Sequence, residues 1–426
     1  MRARPHPWLV ALVVLLALAP RVAPALRGFN FSPDAAEYLL IARSLRSGQG
    51  FTLPIRVRFT RPGPARHEAY AERAPLYPWL LSALVTPEPG WPSPLLQLSG
   101  LALAALAALL ACSLSAEVAR RRGLRGPPLQ LAVLLGGLAV GWLPFLVRAS
   151  VHLWAEPLGL VLALGAVRLA WVGDERPGPA LLLAQALCLG LARFARPEGW
   201  ILVPVLLGWH WAAGQRRRAL LLAGGVAALN AIGVALTGVL APQLELLQTR
   251  RFEDLMAPGA ELGVSASQVA QGIARNAWHQ LRDACTPKHA GLILPLAILG
   301  LRAPGARLLP LAAGALSLAT VIVWSTDDPS RFLIAPLALL APLGAVELLV
   351  RWRRHAGGRR WLLALALGLW LGILGHGAGR TWRGRHAPPP GPIPAQPGTP
   401  ALADPWRYAL VTGREATLAE GAVEAP

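Results

Sequence analysis

Long apolar runs recur along this chain, separated by polar clusters, and their lengths predict membrane-spanning helices. The runs are Trp8–Ala25, Leu95–Ala116, Leu129–Val147, Leu153–Val172, Ala180–Phe194, Trp200–Ala213, Ala219–Leu240, Gly291–Leu301, Leu308–Trp324, Phe332–Val350 and Trp361–Gly375. A stretch of roughly 17–25 apolar residues suits one bilayer crossing, so the chain is expected to be an all-α polytopic membrane protein with about eleven transmembrane helices. The shortest runs shift by a helix end or merge with a neighbour. The alternating segments of a transmembrane barrel do not occur, and no internal repeat is evident.

Two long polar segments interrupt the pattern, at 26–94 and 241–290. The first carries a helix-start signal, with Ser32 as N-cap, Pro33 at the first helical position, and Asp34 and Glu37 in the first turn. Tyr38, Ile41, Ala42 and Leu45 then recur at helical spacing opposite Arg43 and Arg46, which predicts an amphipathic helix in the membrane interface. A second short helix is expected near Pro75–Val85, with Tyr77 and Trp79 at headgroup level. The second segment reads as polar and mostly helical. Residues 1–376 form one membrane domain in this reading, and 377–426 form a proline-rich tail in which 387–400 is a linker.

Charge then sets the orientation. Arg120, Arg121, Arg122 and Arg125, the run Arg216 to Arg218, and the group from Arg351 to Arg360 all fall in loops on one side, with Arg2 and Arg4. By the positive-inside rule that side is cytoplasmic, so both long polar segments and the tail face outward. The N-terminus also fits a cleavable signal peptide, with Ala23-Pro24-Ala25 as the small-residue site. The expected location is the bacterial inner membrane, with the N-terminus in the cytoplasm.

Composition agrees with the class, at 54% hydrophobic and 15% charged residues. The net charge of +19 comes from 41 basic residues, of which only Lys288 is a lysine. Their place in short loops accounts for them without a nucleic-acid partner. Cys112, Cys188 and Cys285 have no short spacing, so neither a disulfide framework nor a cysteine metal site is expected.

Four polar clusters fall on the outward side. Asp34 and Glu37 are neighbours on one helix face. Acids there also complement the helix macrodipole, a plain structural use worth about 0.3–1 kcal/mol. His152 and Glu156, four apart, are expected to share a helix face at the outer end of the fourth run. Two residues do not make a metal site, so none is assigned, although a divalent metal is left open. Arg193, Arg196 and Glu198 form the third cluster, and Arg196-Pro197-Glu198-Gly199 also reads as a turn with its own salt bridge. Asp327, Asp328 and Arg331 form the fourth.

The chain resembles the C-type glycosyltransferases (GT-C), which take a sugar from a polyprenyl-phosphate carrier. The nearest groups are bacterial relatives of protein O-mannosyltransferases and aminoarabinose lipid A transferases. The resemblance rests on Ser32 to Gly50, on Arg73-Ala74-Pro75-Leu76-Tyr77-Pro78, on Trp154-Ala155-Glu156-Pro157, on Arg196-Pro197-Glu198-Gly199, and on Arg331-Phe332-Leu333 with Pro336. It implies that Asp34 is the catalytic acid of the first outer loop. Many members carry a second acid directly after it, and here that place is Ala35; Glu37 stands in partly.

The expected function is an inverting transfer of a sugar from a polyprenyl-phosphate carrier to a lipid, glycan or protein acceptor, with no cofactor. Asp34 would act as base and Glu37 would help position the acceptor. Tyr38, Arg73, Tyr77, His152, Glu156, Arg193, Arg196, Glu198, Asp327, Asp328 and Arg331 would bind substrate, with Arg196 and Arg331 on the phosphate. One rival is a polysaccharide polymerase or ligase that uses the segment 241–290. Another is a transporter or flippase, which would need charges near the middle of spans.

Overall fold

Proline opens many of the helices in this chain, because its missing N–H costs nothing in a first turn and its φ is already helical. The computed structural model describes residues 5–26, 32–52, 55–56, 74–88, 96–175, 177–240, 266–286, 293–301, 306–323, 329–354, 368, 372, 401–402 and 416–418. Among these are fourteen α-helices. They are α1 Pro7–Leu26, α2 Pro33–Arg46, α3 Leu76–Ser82, α4 Gln97–Arg121, α5 Pro127–Gly141, α6 Pro144–Val151 and α7 Glu156–Glu175. Next come α8 Pro179–Ala195, α9 Leu202–Ala212, α10 Arg216–Leu240, α11 Ala266–Cys285, α12 Ile293–Gly300, α13 Leu308–Val323 and α14 Ile334–Arg354. One-turn 3-10 segments, Pro197–Ile201 and Pro329–Leu333, precede α9 and α14.

The protein is a multi-pass, all-α membrane protein. Five helices are long and apolar enough to cross a bilayer, or six when the bent pair α5–α6 counts as one span. The apolar α8 and α13 are shorter. The eleventh expected run, Trp361–Gly375, lies almost wholly outside the described residues.

Burial separates the centre of the bundle from its rim. In the apolar window of α14, 89% of residues are buried, against 22% in α10. A helix that is apolar all round can sit either in a core or against lipid. Contacts with α4, α5, α7, α12 and α13 put α14 in the core. Small residues let these helices approach closely: a Cβ on Gly137 of α5 would come within 2.5 Å of Cys112 Sγ on α4 and of Val13 Cγ1 on α1.

Two expectations need correction. Leu129–Val147 is not one straight helix, because α5 and α6 meet at 55°. Pro144 causes the break: it starts α6 and holds Leu143 at ψ 118°, out of the helical region. Nor do His152 and Glu156 share a helix face. His152 caps the end of α6, Leu153 turns at φ 53°, and α7 begins at Glu156. Pro157 falls in the first turn of α7, where it helps start that helix.

Three very short strands, β1 Ile55–Arg56, β2 Ala401–Leu402 and β3 Ala416–Leu418, form a parallel sheet in the order β1-β3-β2. It links the first polar segment to the tail. The proline-rich stretch 387–400 lies outside the described residues.

Candidate active site

The corner between α6 and α7 delivers its side chains to the same end of the bundle as the start of α2. Ser32 caps α2 as expected, its Oγ accepting the Ala35 N–H at 3.2 Å. The same Oγ accepts Trp154 Nε1 at 2.9 Å, which ties the α2 start to the α6–α7 corner. Ala35 to Ala42 are buried at every position, so α2 is packed into the protein and is more than a surface amphipathic helix.

Five charged side chains from four parts of the chain converge here. Arg331 Nη1 donates to Asp34 Oδ2 at 2.5 Å, and Arg331 Nε lies 3.5 Å from Glu156 Oε1. Arg196 Nη1 donates to the same Glu156 oxygen at 2.9 Å, and its Nε donates to Glu198 Oε1 at 2.7 Å. Glu156 therefore bridges the two guanidiniums. Phe332 lies under both, 5.0 Å from Arg196 and 5.1 Å from Arg331, and Trp154 lies 5.3 Å from Arg331.

Burial alone would push the Arg196 guanidinium down. Glu198 and Glu156 outweigh it and hold the group above its ordinary range. Arg196 therefore stays charged at any pH the protein meets. A cleft partly open to solvent runs from Glu156, Arg196, Glu198 and Arg331 to Leu160, Leu316 and Ile334.

Tyr38 and Tyr77 are both buried and meet edge to face at 5.2 Å. Burial pushes the Tyr77 hydroxyl well above the usual phenol range, with Tyr38 and Glu156 adding to it. Glu37 is only 2% exposed, so it does not share the half-buried setting of Asp34. His152 stacks obliquely on Trp154 at 5.5 Å. Arg193 is turned elsewhere, to Asn230 of α10 at 3.3 Å and to the rings of Phe194 and Trp200. Arg73, Asp327 and Asp328 lie outside the described residues.

Two contributors lie outside the residues given a site role from the sequence. Trp154 links Ser32 and Arg331, and its position two before Glu156 was the available signal. Arg21 is fully buried in α1, donating to Gly141 O at 2.7 Å and Ser150 Oγ at 2.8 Å. It thereby braces the α5–α6 bend that leads into the corner. An arginine inside an apolar run was its signal.

The arginine-rich loops lie at the other end. Arg122 at the end of α4 pairs with Glu347 near the end of α14 at 2.7 Å. Arg121 sits 4.9 Å from Trp171 near the end of α7, and Arg218 at the start of α10 lies 3.6 Å from Asp174 of α7. Glu156, at the opposite end of α7, pairs with Arg196 and Arg331.

The same fold is seen in two membrane proteins of known structure. An oligosaccharyltransferase from Archaeoglobus fulgidus, solved in complex with zinc and sulfate, matches with a TM-score of 0.59 at 14% identity. The match covers 97% of this chain and 62% of that one. ArnT from Cupriavidus metallidurans, solved bound to undecaprenyl phosphate, matches with a TM-score of 0.58 at 15% identity, covering 97% of this chain and 86% of that one. No family model and no curated protein matches the sequence.

Among the described residues no three His, Cys, Asp or Glu side chains are grouped to hold a metal ion. Asp34, Glu156 and Glu198 each face a guanidinium instead.

Proposed function

We propose that this protein transfers a sugar from a polyprenyl-phosphate carrier to an envelope acceptor at the outer face of the bacterial inner membrane. The observation that carries the reading is the meeting of Asp34, Glu156, Glu198, Arg196 and Arg331 beside a cleft, at the end opposite the arginine-rich loops. The positive-inside rule puts those loops in the cytoplasm and the cluster outside. The ArnT structure, bound to undecaprenyl phosphate, supplies the analogy for the donor.

The chemistry follows from the groups present. Asp34 accepts the proton of the acceptor O–H or N–H as that atom attacks the anomeric carbon. The bond from that carbon to the phosphate oxygen breaks, and polyprenyl phosphate leaves with the electron pair. A single displacement inverts the anomeric centre. Arg196 and Arg331 meet the growing phosphate charge with planar, multidentate donors. Both arginines already serve carboxylates, so phosphate binding is an exchange of partners: Arg331 leaves Asp34 for the phosphate, and Asp34 is freed to take a proton.

Purified protein in lipid nanodiscs, supplied with polyprenyl-phosphate-linked sugars and an envelope lipid extract, should release polyprenyl phosphate and a glycosylated product. Turnover of diphosphate-linked glycans alone would favour the polymerase or ligase reading and remove this one.

A further inference from the structure

Helix α11, in the second polar segment, is packed inside out. Asn276, Gln280 and Asp283 are buried at 5–6% exposure, whereas Trp278 and Leu281 are 63% and 53% exposed. In a water-facing helix the apolar residues turn inward, because burying apolar area stabilises by roughly 25 cal/mol per Å². Here the inward face is polar and makes hydrogen bonds into the bundle, although Gln280 Oε1 finds no partner among the described residues. Gln280 Nε2 donates to Thr320 Oγ1 at 2.8 Å, and Asn276 Nδ2 reaches Val321 O at 3.5 Å.

The outward face carries Ala274, Ala277, Trp278, Leu281 and Cys285, all exposed. Arg275 and Arg282 border that stripe on one side. At 100° per residue the two arginines fall within about 20° of each other, next to the stripe and away from Asn276 and Gln280. Thr320 and Val321 lie in the last turn of α13, and α11 also packs on the Pro329–Leu333 segment that carries Arg331. The helix therefore lies at the depth where membrane-embedded helices end, on the side of the candidate site.

We infer that α11 is an interfacial helix whose apolar stripe is immersed in the lipid leaflet at the site's end of the bundle, with Arg275 and Arg282 on anionic headgroup phosphates. A tryptophan beside arginines is the usual composition at that depth. The bilayer covers the stripe, and α11 in turn holds the Arg331 segment at headgroup level. This depends on the membrane-spanning fold and not on the proposed transfer reaction.

Spin labels give a direct test. Cys112→Ala and Cys188→Ala leave Cys285 as the single thiol. With Cys285→Ala added, Trp278→Cys, Leu281→Cys, His279→Cys and Arg282→Cys move the label round the helix. In vesicles of phosphatidylethanolamine and phosphatidylglycerol, labels at 278, 281 and 285 should be several-fold more accessible to oxygen than to a water-soluble nickel chelate. Labels at 279 and 282 should show the reverse. Arg275→Glu with Arg282→Glu should move the label at 285 toward water, and only when phosphatidylglycerol is present. Chelate access at every position would place the helix in water and overturn the inference. Labels at 278 and 281 that are immobile and shielded from both reagents would overturn it too, by showing the stripe covered by protein, whether another segment or a second copy.

Discussion

The two ends of the bundle both bury charge, but they gather it differently. At the arginine-rich end much of the pairing is local: Glu117 serves Arg120 and Arg121 of its own helix, and Glu347 serves Arg351 of its own helix. Asp174, His210, Gln185, Gln215 and Arg218 close a second network that pins α7, α8, α9 and α10 together. Long reach is common to both ends, with 225 residues from Arg122 to Glu347 at the arginine-rich end, and 297 from Asp34 to Arg331 and 40 from Glu156 to Arg196 at the other. A cleft opens beside Glu156, Arg196 and Arg331. Buried charge alone therefore says little about function. Convergence of distant acids and guanidiniums on open space says more, because stability is served more cheaply by neighbours one turn apart.

The sharpest way to break this contrast is Arg196→Ala. It removes the guanidinium that Glu156 and Glu198 share and leaves Glu156 on Arg331 at 3.5 Å, and one-sided loss of a buried pair costs about 3–5 kcal/mol. A large fall in melting temperature in detergent, together with loss of donor binding, is expected. Normal donor binding in a folded Arg196→Ala protein would move the phosphate site elsewhere.

Arg331→Ala should be milder in stability, since both Arg331 and Asp34 are partly exposed. It should still weaken binding of the lipid-phosphate donor about tenfold or more, as a lost charge-assisted hydrogen bond of roughly 1.5–3 kcal/mol implies. Arg331→Lys should restore only part of this, because lysine keeps the charge but not the planar fork. Equal binding by the Lys and Ala variants would show that charge at this position is not what the donor reads.

The smallest functional effect is expected at the far end. Asp174→Asn keeps the shape and the acceptor for Trp209 Nε1, which now lies at 3.2 Å, but removes the charge opposite Arg218. A loss of about 1 kcal/mol in stability with unchanged turnover per folded molecule would fit a structural staple. A fall in turnover without a fall in stability would erase the distinction between the two ends.

Much of this was legible in the sequence. Long apolar runs gave the membrane class, and Ser32-Pro33-Asp34 gave the start of α2 with its cap. The Arg196–Glu198 turn and its ion pair were also readable, since both partners lie within one short motif. What could not be read was which clusters meet. That Glu156 joins Arg196 to Arg331, while Arg193 turns away to Asn230, depends on the rotation of α8 against α7 and α10. The α6–α7 corner was missed because His152 and Glu156 have helical spacing, and only the backbone at Leu153 shows the turn between them. The inverted burial of α11 was likewise invisible, since periodicity locates an apolar face but not what it faces.

The central claim is that the carboxylate of Asp34 takes the acceptor's proton, and Asp34→Asn tests it most directly. Asparagine keeps the size and still suits a helix N-terminus, so expression and insertion should be near normal. Arg331 retains Glu156 as a partner at 3.5 Å, so the cluster should persist. With donor binding and single-turnover transfer measured separately, binding should be retained or tightened while transfer falls by roughly 10²–10⁴-fold. Glu37→Gln in the same assay should cost less. Wild-type transfer by Asp34→Asn would contradict the account, leaving Asp34 as the acid that starts α2 and pairs with Arg331, and nothing more.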